Sequence, residues 1–355
     1  ITEALAEQYP NLISAAAPMC MAGNVGPIST MAGDALWGLK TFFDPTIKGG
    51  NYSAGAAGVI EANQDLAKVF TVIGSLQAAF AANPTLPAWP ATSKVPAAMQ
   101  AAIPSRSALV LVALMAGVPL QSAHFDSTSA PSILPAASQT SFQLAINPAF
   151  AALENIANAA ALAVLATHDL ENQVGGVYFD NTTTDYSARL GDDAFVWTSA
   201  LSGNTAIATM LGYLAAAPRS VANPAAVAKL DTLTKHTGKI SVPTVLFTGV
   251  ADPVTVAGNS QWIADKYAAQ WAAQWEANKA ARNPKRPTNL LLTIWNFTPA
   301  KYTVYTAAGA PDTTVPAATG TNHCNFTYSQ TMAVADLLAY ASRSEEHTSE
   351  LQSPY

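Results

Sequence analysis

At Lys239 the chain changes character, and the residues that follow constrain the fold more than anything before them. Ile240-Ser-Val-Pro-Thr-Val-Leu-Phe-Thr248 is rich in β-branched residues and reads as a buried strand with a proline at its flank. Gly249-Val-Ala-Asp252-Pro-Val-Thr255 then reads as a turn, and Ala257 to about Ala281 as a long helix carrying Trp262, Trp271 and Trp275. Leu290–Trp295 and Tyr302–Tyr305 have strand character, a loop runs to Gly320-Thr-Asn-His323, and Thr331 to Ala341 is a closing helix. Strand, acid-bearing turn, helix, strand, histidine-bearing loop and helix make a parallel α/β pattern. The expected fold class is therefore α/β: a partial parallel sheet from the C-terminal strands, with a large and mainly helical insertion before them.

That insertion spans roughly Gly26 to Gly238 and is alanine-rich. Helices are predicted at Met31–Phe43, Ala57–Ala82, Arg106–Ala116, Pro148–Ala166, Thr205–Ala216 and Pro224–Leu233, with proline-rich connectors between them. The polar stretch Asn172–Asp193 reads as a long loop. Ahead of it all, Thr2–Tyr9 is a predicted helix that Pro10 ends, and Leu12–Met19 a short buried strand. No capping residue precedes Ile1, so the chain is expected to open inside a helix. Arg343–Tyr355 breaks the composition of everything before it and is set aside as an artefactual tail, with His347 in it. The expected organisation is core at 1–21, helical cap at 22–238, core again at 239–342, and tail at 343–355.

Composition narrows the function classes. Half of the 355 residues are hydrophobic, only 11% are charged, and the net charge is −6. No Lys/Arg run exists, so a nucleic-acid or anionic-membrane partner has no electrostatic basis. The longest apolar stretch, Ala108–Pro119, falls short of the ~20 residues of a membrane span, and none is expected. The sparse charge fits an extracellular enzyme.

Asp252 follows a strand directly and His323 lies in a loop before the last helix. Acid first and histidine second is the order of a Ser…Asp…His triad. In such a triad the histidine takes the serine proton, and the carboxylate fixes its tautomer. Phe247-Thr-Gly-Val-Ala-Asp252-Pro-Val-Thr and Gly320-Thr-Asn-His323-Cys-Asn-Phe resemble the acid and histidine motifs of the α/β-hydrolase superfamily. Glu3-Ala-Leu-Ala-Glu-Gln-Tyr-Pro10 and Ala15-Ala-Ala-Pro-Met-Cys20 are similar to the segment after the serine elbow in its capped, secreted bacterial members. The resemblance covers residues 1–21 and 239–342. It implies a serine hydrolase with Asp252 and His323 as catalytic acid and base, a small-molecule ester or peptide substrate, and no cofactor.

The chain departs from that pattern in lacking Gly-x-Ser-x-Gly. Asn51-Tyr-Ser53-Ala-Gly55 comes nearest but lacks the first glycine and a preceding strand. The elbow is therefore expected upstream of Ile1, leaving residues 1–355 inactive by themselves. Asp312 is the alternative acid. His124, His168 and His236 have no comparable context and read as surface or capping residues. Cys20 and Cys324, the two cysteines, both fall at the carboxyl edge of the expected sheet. They are either a disulfide or two buried thiols. No zinc spacing occurs, and Asp180, Asp185, Asp192 and Asp193 fail the calcium-loop template, so no metal site is expected. The expected reaction is hydrolysis of a carboxylic ester through an acyl-enzyme. The alternatives are an aminopeptidase-like peptidase and a non-catalytic binding protein of the same type.

Overall fold

Pro243 sets the start of the first strand. It has no N–H to give to a ladder, and pairing begins at Thr244, not at Ile240. The computed structural model describes residues 2–23, 25–125, 139–233, 237–281, 285–299, 306, 312 and 314–342, with the backbone alone at 139–145. In chain order they form α1 (Thr2–Gln8), α2 (Val25–Phe42), α3 (Ala56–Ala82), α4 (Ala97–Ala102), α5 (Ser105–Ala116) and α6 (Gln139–Val174). There follow α7 (Tyr186–Leu190), α8 (Asp193–Val196), α9 (Asn204–Ala216), α10 (Pro224–Leu233), β1 (Thr244–Gly249), α11 (Ala257–Ala280), β2 (Leu291–Asn296) and α12 (Tyr328–Ala341).

The expected α/β class is not what forms. The chain is 56% helical, with two parallel strands among the described residues, and is a mainly helical protein. A partial α/β-hydrolase sheet is not clearly present. One reason lies in Leu12–Met19, predicted as a strand. It touches β1 only through isolated parallel bridges, Ala16 to Thr244 and Met19 to Phe247. Pro18 lies between them and has no N–H, which interrupts a continuous ladder. The strand predicted at Tyr302–Tyr305 lies outside the described residues.

The described chain divides into two units. The first takes in Ile1–Val25, Leu233–Thr298 and Thr319–Tyr355; the second takes in Gly26–Thr232 and Pro299–Ala318. In the first unit β1 and β2 pair in parallel from Thr244 opposite Leu291 to Gly249 opposite Asn296. Successive side chains of a strand point to opposite faces. Leu246 accordingly packs with Ile263 and Tyr267 of α11, Met21 and Ile240. Val245 and Phe247 pack on the other face against Val334, Leu337 and Leu338 of α12, with Ile294. Helix α12 starts at Tyr328, three residues before the predicted start. A capping box decides this: the Thr327 hydroxyl accepts from the Gln330 amide and the Gln330 side chain from the Thr327 amide.

In the second unit α5 is hydrophobic on nearly all sides and is buried on nearly all sides, lying against α3 and α6. Helix α3 presents Ala62, Val69, Val72, Ile73, Leu76 and Phe80 as its buried stripe. Helix α6 is longer than the predicted Pro148–Ala166, with Pro148 inside it. It runs into the predicted loop until Gly175 and Gly176, whose amides both return to the Glu171 carbonyl. By length and composition Ala56–Ala82 and Ile146–Val174 would suffice to cross a membrane. They pack on one another through part of their surfaces.

Candidate active site

In the first unit the turn after β1 carries Asp252, and the loop before α12 carries His323. Asp252 is 1% exposed and its carboxylate is saturated by donors. Oδ1 accepts the amides of Val254 and Thr255, both at 2.8 Å. Oδ2 accepts the Thr255 hydroxyl at 2.8 Å and the Cys324 amide at 3.1 Å. The first three bonds are local: an aspartate followed by Pro-Val-Thr bonds its own turn. The fourth comes from a segment far along the chain.

The histidine loop is pinned to the same edge. Ala251 bridges Thr321 in parallel, and the Ala251 amide donates to the Gly320 carbonyl at 2.8 Å. Gly320 has φ +81°, and a Cβ there would lie 2.4 Å from the Asn296 carbonyl oxygen, so the close approach needs glycine. Asn322 and Cys324 also take positive φ, 57° and 56°. These turns set the His323 ring beside Asp252, with Nδ1 3.1 Å from Oδ2.

A carboxylate offers only acceptors, so the ring hydrogen sits on Nδ1 and the neutral ring keeps its lone pair on Nε2. Nε2 meets Cys324 Sγ at 3.5 Å. The histidine side chain is 48% exposed. Phe326 stacks on Phe247 with centroids 4.4 Å apart and holds the loop to the strand from below. The arrangement is a buried acceptor and an oriented, half-exposed imidazole whose second nitrogen lies against a disulfide sulfur.

No family model matches the chain, and no curated protein or solved structure matches it. The chemistry of the site therefore rests on its own geometry.

Cys20 and Cys324 are joined by a disulfide with Cα atoms 5.4 Å apart. Their sulfurs and the Asp252 carboxylate also form a compact group of metal-ligand types. With both sulfurs in a disulfide, no thiolate is left for a metal. Thr255 and the Cys324 amide are the contributors the sequence reading missed. Thr255 was legible as the end of an Asp-Pro-Val-Thr turn; the amide had no sequence signal.

Other candidates lie elsewhere. Ser53, in the second unit, donates to Glu61 Oε1 at 2.7 Å and precedes α3, with no strand before it among the described residues. Its loop is held by carboxylates. Asp65 accepts the amides of Lys48 and Gly49, Glu171 those of Asn51 and Tyr52, and Glu61 that of Ser53. Asp312 accepts from its neighbour Thr314, which holds its carboxyl below the usual range. His124 Nδ1 lies 2.6 Å from Glu154, and His168 beside Asn172 and the Tyr52 ring. His236 and His347 lie outside the described residues. Of the acidic group, Asp185 caps α7 and Asp180 accepts the amides of Thr182 and Ala222. Asp192 stands at the N-terminal end of α8 and Asp193 in its first turn.

Proposed function

We propose that Asp252 and His323 are the acid and base of a serine-type hydrolase acting on carboxylic esters. The observation that carries this reading is the 3.1 Å approach of His323 Nδ1 to the buried Asp252 carboxylate, on a histidine whose side chain is 48% exposed. Such a ring can accept a proton from a hydroxyl and return it to a leaving alcohol. In the acylation step the hydroxyl oxygen bonds to the ester carbonyl carbon while its proton passes to Nε2. The alkoxide then leaves with that proton, and water repeats the sequence to release the acid. Among the described residues no serine hydroxyl bonds to His323, so the reading leaves the nucleophilic serine unassigned. The disulfide beside the histidine supports an oxidising, extracellular setting.

The test uses the full translation product of the gene. It should hydrolyse p-nitrophenyl acetate and be labelled on serine by a fluorophosphonate. His323→Ala should abolish both, with the melting temperature unchanged. Hydrolysis that survives His323→Ala sinks the reading.

A further inference from the structure

We propose that the helical unit holds a second site, unrelated to Asp252 and His323 in chemistry, for a small organic anion with a flat apolar body. A cavity of about 610 Å³ opens among α2, the Lys48–Asn51 loop, Lys94 and the end of α9. That volume lies within the ~300–1,000 Å³ of small-molecule sites. Its walls include Trp37, Phe179 and Tyr213. Trp37 is fixed there, with Nε1 donating to the Pro218 carbonyl at 2.8 Å and its ring stacked on Tyr186.

The charge around this cavity is the decisive feature. The whole chain of 355 residues has 17 Lys and Arg and a net charge of −6. Yet Lys40, Lys48, Lys94 and Arg219 all line this cavity. Lys48 is neutralised by Glu61 at 2.5 Å. Among the described residues the other three are not paired with a carboxylate. Lys40 donates to the Lys48 carbonyl at 3.3 Å. Arg219 donates to the carbonyls of Asn181 and Thr184 and lies over the Trp37 ring, 5.0 Å from its centroid. Lys94 has no hydrogen bond or ion pair among the described residues.

The acids nearby are already used. Glu171, the one acidic residue in the lining, is 6% exposed and accepts the amides of Asn51 and Tyr52 at 2.7 and 2.9 Å. Asp34, whose charge Arg219 feels, is bound by Arg189 and the Tyr186 hydroxyl. Three cations around an aromatic-walled cavity attract an anion by Coulomb forces, and the walls reward an apolar body by desolvation. A guanidinium lying over an indole also leaves its outer edge to meet a carboxylate.

The probe is 2-naphthoate, compared with its neutral relative 2-naphthalenemethanol, each titrated calorimetrically into the chain. The anion should bind one to one, about tenfold or more tighter than the alcohol, and weaken as salt is raised. Lys94→Gln should lower its affinity several-fold, and the Lys40→Gln/Lys94→Gln pair about tenfold or more, with melting temperature and alcohol affinity unchanged. Equal affinity for anion and alcohol overturns the proposal, as does naphthoate binding that the double substitution leaves intact. Absence of naphthoate binding at millimolar concentration overturns it as well.

Discussion

The amide of Cys324 donates to Oδ2 of Asp252 at 3.1 Å, the same oxygen that faces the ring of His323. The residue that carries this amide is also the one bound to Cys20 through its sulfur. The disulfide therefore holds, at one residue, both the histidine loop and a hydrogen bond to the acid.

Reduction of that disulfide, or Cys20→Ser with Cys324→Ser, should lower stability by about 3–5 kcal/mol. The closed loop is long, with a sequence separation of 304 residues, and long loops gain most in the chain-entropy account. Denaturant melts with and without reductant measure this. A loss below about 1 kcal/mol would show that the histidine loop is held by its backbone bonds alone.

Asp252→Asn should destabilise the first unit by about 1–3 kcal/mol. An amide has one acceptor oxygen where the carboxylate has two, so some of the donors from Val254, Thr255 and Cys324 must face an NH₂ group. In the full translation product of the gene the same change should cut ester hydrolysis by up to ~10⁴-fold, because the histidine loses the partner that fixes its tautomer. Comparing kcat with the melting curve separates the two effects.

Glu3 should make stability fall as pH rises. It is 2% exposed and its Oε2 has no hydrogen-bond partner. Burial, with Glu7 adding to it, pushes its carboxyl up from 4.5 to about 7. Between those values the folded chain binds more protons than the unfolded chain, so this contribution to stability is full below about 4.5 and is lost by about 7. The loss is on the order of 2–4 kcal/mol at the conversion of 1.36 kcal/mol per pH unit. Glu3→Gln should remove that pH slope, seen as urea midpoints at pH 4.5 and 7.5 that differ less than in the parent chain.

Glu171→Ala should loosen the Lys48–Ser53 loop and cost about 2–4 kcal/mol. It deletes the acceptor for the Asn51 and Tyr52 amides and leaves the Tyr52 N–H buried without a partner. Amide exchange at those two residues should speed up, while Lys48 and Gly49, which bond to Asp65, keep their protection.

Local order was legible in the residues themselves. β-Branched residues marked the strand within Ile240–Thr248, and apolar helical patterning marked α3, α5, α9 and α11. The Thr327/Gln330 capping box was written in the sequence, although its three-residue effect on the start of α12 went unread. The Asp252 turn stood out because its bonds close within a few residues, and the His323 loop because Gly320-Thr-Asn-His323-Cys-Asn-Phe is a short, recognisable run.

Only the tertiary structure decided the rest. Whether Leu12–Met19 becomes a strand depends on which amides Pro18 and Pro243 withhold from a partner more than two hundred residues away, and the answer is isolated bridges and a mainly helical protein. The Cys324 amide reaches Asp252 because Gly320 lets its loop approach the Asn296 carbonyl. The cationic cavity gathers Lys40, Lys94 and Arg219 from separate elements. Sequence spacing records a pattern when its bonds are local; contacts closed across the chain follow from packing and from the few places where backbone can meet backbone.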